Sequence, residues 1–153
     1  MKIAHLADTH IRNFKFHEEY QIIFDQLYET LREEKVDAIV HCGDIAHTKI
    51  QISPEFVEMC ANFFESLASI APTYIILGNH DGNLRNSNRQ DALSPIVQAL
   101  SLPNLHMLKH SGEVSLTPSV SLHVLSIFDR DRWASPKNKD KINVALYHGS
   151  ISN

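Results

Sequence analysis

Short apolar runs alternate with helical patterns through the first half of the chain. Lys2 to Ala7 is a brief apolar stretch that stops at Asp8-Thr9-His10 and reads as a buried strand. From His17 to Glu34, the apolar positions Tyr20, Ile23, Phe24, Leu27, Tyr28 and Leu31 recur at helical spacing, and the opposite side is acidic. Val36 to His41 predicts a second strand, closed by Cys42-Gly43-Asp44. Ser53-Pro54-Glu55 is a helix start, because Ser accepts from free amides, Pro fits the first turn and Glu suits its positive end. This helix is expected to run to Ser69 with Phe56, Cys60, Phe63, Phe64 and Leu67 on one face, and Pro72 forbids its continuation. Thr73 to Leu77 predicts a third, wholly buried strand that ends at Gly78-Asn79-His80-Asp81.

Strand, helix, strand, helix, strand implies right-handed crossovers and a parallel sheet, so the predicted class is α/β. Each strand ends in a cluster of Asp, His, Asn and Gly. In open α/β sheets, sites form beyond the carboxyl ends of the strands, so these clusters should converge. Further along come a polar loop, Gly82 to Asn88, and a short helix, Asp91 to Leu100, carrying Leu93, Ile96, Val97 and Leu100. The pattern then changes to short strands: Leu105 to Leu108, Glu113 to Leu116 and Ser121 to Ile127, with Thr117-Pro118-Ser119 as a hairpin turn. A charged connector, Asp129 to Lys141, leads to a last strand, Ile142 to Tyr147, which also ends in a polar pair, His148-Gly149.

Composition narrows the function classes. The 153 residues suit one domain, 1–153, and 43% hydrophobic with 21% charged residues excludes global disorder. Lys plus Arg less Asp plus Glu is 14 − 18 = −4, which argues against a partner held by a broad basic surface. No apolar run approaches the ~18 residues of a membrane span, and the N-terminus lacks a signal-peptide layout. A cytoplasmic location is therefore expected, and Cys42 and Cys60 read as reduced thiols. The unusual count is His, at ten residues. Most of these, His41 and His123 among them, are expected at the surface or in local hydrogen bonds.

Carboxylate, imidazole and amide oxygen at Asp8, His10, Asp44, Asn79, His80 and His148 form a donor set that suits Mn²⁺, Fe²⁺, Zn²⁺ or Mg²⁺. Asp-x-His puts two donors on one side of an extended segment, and Gly43 and Gly78 permit tight backbone beside Asp44 and Asn79. One carboxylate can bridge two cations, and two cations can clamp an in-line phosphoryl displacement. Arg12, Lys15, Lys49, Arg85 and Arg89 follow these clusters in loops, where they could meet phosphates.

Asp8-Thr9-His10, Gly43-Asp44, Gly78-Asn79-His80-Asp81 and His148-Gly149, in this order and each after a strand, resemble the calcineurin-like metallophosphoesterases. A narrower resemblance is to SbcD-type nuclease subunits of double-strand-break repair complexes, above all the compact phage and viral forms. It is carried by Asp8 to Asn13, His17 to Tyr20, Gly43 to Lys49, and Asn83 to Asn86 leading to Arg89 to Leu93. The resemblance implies a layered α-β-β-α sandwich and a Mn²⁺-dependent DNA phosphodiesterase in which hydroxide made by two divalent ions attacks the phosphorus. It implies that Asp8 and His10 bind the first ion, Asp44 bridges, and Asn79 and His148 bind the second. His80 would stabilise or protonate the departing oxygen and Asp81 would orient His80. His47, with Arg12, Arg85 and Arg89, would meet the DNA backbone. An SbcC-type ATPase and a second copy of the chain are the implied partners. The family continues past His148-Gly149 to a further histidine motif that these residues lack, so the second half of the sandwich is expected to be incomplete and the activity of residues 1–153 alone is open.

Two other readings compete. One is a calcineurin-like phosphoesterase acting on phosphoproteins or small phosphoesters. Protein phosphatases of that superfamily use Gly-Asn-His-Glu and an Asp-Arg-Gly element, whereas Gly-Asn-His-Asp and Gly-Asp-Ile-Ala-His stand here. The other is an inactive fragment that serves only to dimerise or dock.

Overall fold

The computed structural model describes residues 1–86 and 88–149. Four strands, β1 (Ile3–Leu6), β2 (Ala38–Cys42), β3 (Thr73–Ile76) and β4 (Leu105–Met107), form one sheet in the order β1-β2-β3-β4, parallel throughout. The connections are α1 (His17–Glu33), α2 (Pro54–Ile70) and α3 (Ser94–Leu100). A second sheet holds β5 (Gly112–Thr117), β6 (Val120–Leu125) and β7 (Ile142–Tyr147). In it, β5 and β6 make the expected antiparallel hairpin, while β6 and β7 run parallel. The connector between them contains a single 3₁₀ turn, Arg130–Arg132.

The central sheet has two apolar faces because its strands are buried on both sides. One face packs on the helices: Ile39 and Ile75 meet Phe24, Tyr28 and Leu31 of α1 and Phe63, Phe64 and Leu67 of α2. The other face packs on the second sheet, where Val40, Cys42 and Ile76 meet Leu122, Val124 and Leu146. Among the described residues, the layers are thus helix, sheet and sheet. The outer helix layer of the expected α-β-β-α sandwich is not among them.

Local chemistry fixes the element ends. Ser53 caps α2, its Oγ accepting from Phe56 N at 3.2 Å and donating to the Asn13 carbonyl at 3.1 Å. The last helix begins at Ser94, three residues later than the apolar pattern suggests. Asp91 stands outside it, accepting from Leu93 N at 3.0 Å and Ser94 N at 2.7 Å and pairing with Lys109 at 3.0 Å. The face of α2 that could have served a homodimer, Phe56, Cys60, Phe63, Phe64 and Leu67, is wholly enclosed in the chain's own core. On α1, Ile23 departs from the expected apolar face and is more than half exposed.

Candidate metal centre

Pairing between the first two strands does not stop at their ends. Asp8 N donates to the Gly43 carbonyl at 3.0 Å, His10 N to that of Asp44 at 3.0 Å, and Ile11 N to that of Ile45 at 2.7 Å. The Asp8–Ile11 and Gly43–Ala46 segments are thereby laid side by side. In doing so, Asp8, His10 and Asp44 take left-handed backbone, with φ of 56°, 46° and 54°. Asp and His are among the few side chains that visit this region, and strain of this kind, of order 1–3 kcal/mol per residue, gathers at functional sites.

The tip of β3 is bound to the tip of β2 by Asp81. Its fully buried carboxylate accepts from Gly78 N, Asp44 N and Ala46 N, each at 2.8 Å. Burial pushes its pKa up to about 7, with the Asp44 charge acting in the same direction and the three amide bonds opposing. Asp81 is therefore a staple between two loops. It does not orient His80, as the family resemblance implied, because all three of its bonds go to main-chain amides. His80 is instead fixed through Nδ1, 2.8 Å from the His47 carbonyl, and through its backbone N–H, which donates to Asp44 Oδ1 at 2.8 Å. Gly43 has φ of 89°, and a Cβ on it would stand 2.6 Å from Gly78 N and 2.9 Å from His148 Nδ1. A Cβ on Gly78 would run into Asp44. Both glycines are required by close approach of backbone.

The tip of β7 completes the cluster from the second sheet. His148 Nδ1 lies 2.7 Å from the Cys42 carbonyl, so this nitrogen carries the proton and donates. Its Nε2 then presents a lone pair to Asn79 Oδ1 at 3.2 Å and Asp44 Oδ2 at 3.4 Å. On the other side of Asp44, His10 Nε2 lies 3.6 Å from Oδ2 and 3.8 Å from Asp8 Oδ1. Electron-rich atoms facing one another at these distances repel unless a proton or a metal ion lies among them. Two sets of donors are close enough to share an ion, each with its ligand atoms within 4.8 Å of one another: His10, Asp44 and His80, and Asp8, Asp44 and His148. Asp44, nearly buried, belongs to both. The donor set and its convergence on Asp44 fit two divalent ions.

The structure therefore gathers Asp8, His10, Asp44, Asn79, His80 and His148, but divides them differently from the order the resemblance implied. Asp8 groups with His148, and His80 lies at ligand distance from His10 and Asp44. His47 stands beside them, its ring 5.8 Å from His10 and 6.2 Å from His80. Burial first, then the Arg12 guanidinium and the His10 and His80 rings, hold its imidazole below the ordinary pKa. The Arg12 guanidinium lies 5.9 Å over the Phe16 ring. Arg85 and Arg89 are exposed in the loop after β3 and belong to neither donor set.

Three contacts are invisible to hydrophobic pattern and motif spacing. Tyr20, which periodicity puts on the apolar face of α1, donates its hydroxyl to the His10 carbonyl at 2.7 Å. Lys49 donates to the Asn79 carbonyl at 2.7 Å. His41, expected at the surface or in a local hydrogen bond, is fully buried against Phe63, with Nε2 3.4 Å from Thr9 Oγ1. Burial lowers its pKa to about 3.

A parallel sheet whose strand tips carry a shared carboxylate between two donor sets defines an α/β protein with a candidate binuclear metal site. The calcineurin-like phosphoesterase family matches residues 1–152, and the chain belongs to that family. It is 40% identical to protein R555 of Acanthamoeba polyphaga mimivirus over 99% of this chain and 12% of that one. It is 32% identical to the SbcD component of the SbcCD nuclease of Bacillus subtilis over 63% of this chain and 25% of that one. The chain thus spans between an eighth and a quarter of these two relatives. In fold it is similar to the crystal structure of the Pseudomonas putida nuclease MPE, with a TM-score of 0.52 at 17% identity, covering 94% of this chain and 59% of that one.

Proposed function

We propose that the chain forms the catalytic domain of a metal-dependent nuclease that hydrolyses DNA phosphodiesters. The observation that supports this most is Asp44, shared by two donor sets at the meeting point of four strand tips. Asp8, His10, Asp44, Asn79 and His148 would hold two divalent ions, with Mn²⁺ the proposed occupant. When bound, such ions polarise the phosphoryl oxygens and bring the pKa of water towards neutrality.

The chain's own groups do the rest. His80 gives its Nδ1 proton to the His47 carbonyl, so Nε2 is the atom left to meet a phosphoryl or departing oxygen. Asp44 Oδ1 receives the His80 amide and keeps that ring in place relative to the carboxylate. Arg12 and His47 flank the centre, and with Arg85 and Arg89 they would bind backbone phosphates without reading bases. The similarity to the SbcD component of SbcCD favours DNA as substrate, an SbcC-type ATPase as partner and a homodimer as the assembly.

The test uses a linear DNA duplex, a phosphopeptide and bis(p-nitrophenyl) phosphate with purified protein in Mn²⁺ or in EDTA. Mn²⁺-dependent cleavage of the duplex and the small diester is expected, with the phosphopeptide left intact. Release of phosphate from the peptide alone would overturn the nuclease reading in favour of a phosphomonoesterase.

A further inference from the structure

The peptide unit joining Asn79 to His80 is held from both sides. Its N–H, on His80, donates to Asp44 Oδ1 at 2.8 Å. Its C=O, on Asn79, accepts from Lys49 Nζ at 2.7 Å. Because a peptide unit is planar and rigid, two hydrogen bonds on opposite edges fix its orientation. The plane in turn sets the Cα positions of Asn79 and His80, and with them the directions of the amide oxygen that faces His148 and of the ring that faces His10. A charged donor on the carbonyl also polarises the unit and strengthens the bond from its N–H to Asp44.

The same loop makes a second contact, from the His47 carbonyl to His80 Nδ1. Lys49 is half-buried in a recess of about 240 Å³ that it shares with His47, Thr48, Ile50, Asn79 and His80. Among the described residues, no backbone amide reaches the Asn79 carbonyl, so Lys49 is its partner.

We propose that Lys49 is a positioning residue of the metal centre, clamping the Asn79–His80 peptide so that the Asn79 amide and the His80 ring stay aligned with Asp44. This deepens the two-ion reading above and rests on it. The competing role for Lys49 is a direct contact to a substrate phosphate, as its loop position suggests. The two roles differ in sign. Removing a positive charge near the centre would, by charge alone, tighten Mn²⁺ binding. Only loss of positioning weakens it.

The experiment compares the unsubstituted chain with Lys49→Met, which keeps the stem length without the donor, and with Lys49→Arg. Mn²⁺ alone is titrated by calorimetry, Mn²⁺-dependent cleavage of bis(p-nitrophenyl) phosphate gives kcat and KM, and thermal melting controls for folding. The expected result for Lys49→Met is about a ten-fold weaker affinity for one of two Mn²⁺ ions, the scale seen when a group supporting a ligand is lost. It should come with a lower kcat, a nearly constant KM and an unchanged melting temperature, and Lys49→Arg should restore much of the loss. Superimposable Mn²⁺ isotherms with a raised KM would overturn the proposal and make Lys49 a phosphate contact. Loss of both ions together with a lowered melting temperature would also overturn it, as a role in holding the fold. Two ions bound equally by all three proteins defeats the Lys49 proposal alone. An unsubstituted chain that takes up no Mn²⁺ defeats the two-ion reading, and this one with it.

Discussion

Asp8, His10 and Asp44 hold left-handed backbone, and Gly43 between two of the loops does the same at φ of 89°. At this position sterics and function meet in a single missing carbon. A Cβ at residue 43 would lie 2.6 Å from Gly78 N, a separation that real Cβ atoms do not show. The tips of β2 and β3 would have to part, and the three amide bonds to Asp81 would be broken or stretched. Gly43→Ala should therefore cost at least about 2 kcal/mol, from added strain at positive φ and overpacking against backbone. Urea unfolding of the metal-free protein measures this, and a cost under half that size would show that the tips can separate freely. Much of the residue-scale site was legible in the sequence, because Asp-x-His, Gly-Asp, Gly-Asn-His-Asp and His-Gly each follow a strand. What was not legible was partner choice. Nothing in Gly-Asn-His-Asp says that Asp81 turns inward onto three amides, since those amides come from residues up to 37 positions away.

At the scale of elements, the first five follow from periodicity with small shifts at their ends. The later ones show where periodicity runs out. Strand alternation places β6 and β7 but carries no information on direction, and the connector between them lets them run parallel, with Leu125 opposite Tyr147 at the functional end. That register brings His148 beneath Cys42 and into reach of Asp44. Periodicity misplaces the start of α3 because Asp91 looks like a first-turn residue, whereas its carboxylate serves as the acceptor just outside the helix. The start of α2 tests how far an element end supports the site. Ser53 caps the helix and at the same time holds the Asn13 carbonyl, in the loop that follows His10. Ser53→Ala should lower stability by about 1–2 kcal/mol, the sum of a lost cap and a lost buried hydrogen bond. Chemical denaturation is the measurement, and a change below about 0.3 kcal/mol would mean that Pro54 and Glu55 set the helix start unaided.

For the whole molecule, two apolar layers do different work. The helix-side core, with Phe56, Phe63, Phe64 and Leu67 wholly enclosed, makes the parallel sheet a rigid platform. The layer between the sheets sets the distance from the tips of β1, β2 and β3 to that of β7. An apolar groove of about 1010 Å³ opens beside it, lined by Ile3, Val40, Trp133, Leu146 and Tyr147 among others, where the edge strands β1 and β7 lie without strand partners among the described residues. No helix among those residues is long and apolar enough to cross a membrane. Sequence pattern alone conveyed the platform and the convergence of strand tips. It did not convey the distance between the sheets, which depends on how Val40, Cys42 and Ile76 interlock with Leu122, Val124 and Leu146.

That convergence is tested most directly by titrating Mn²⁺ into the protein and into Asp44→Asn, reading stoichiometry by calorimetry and spin coupling by electron paramagnetic resonance. The unsubstituted chain should bind two ions close enough to couple, and Asp44→Asn should weaken both, because Asp44 stands in each donor set. Uptake of a single uncoupled ion, or two ions whose affinities survive the substitution, would contradict the shared-carboxylate centre.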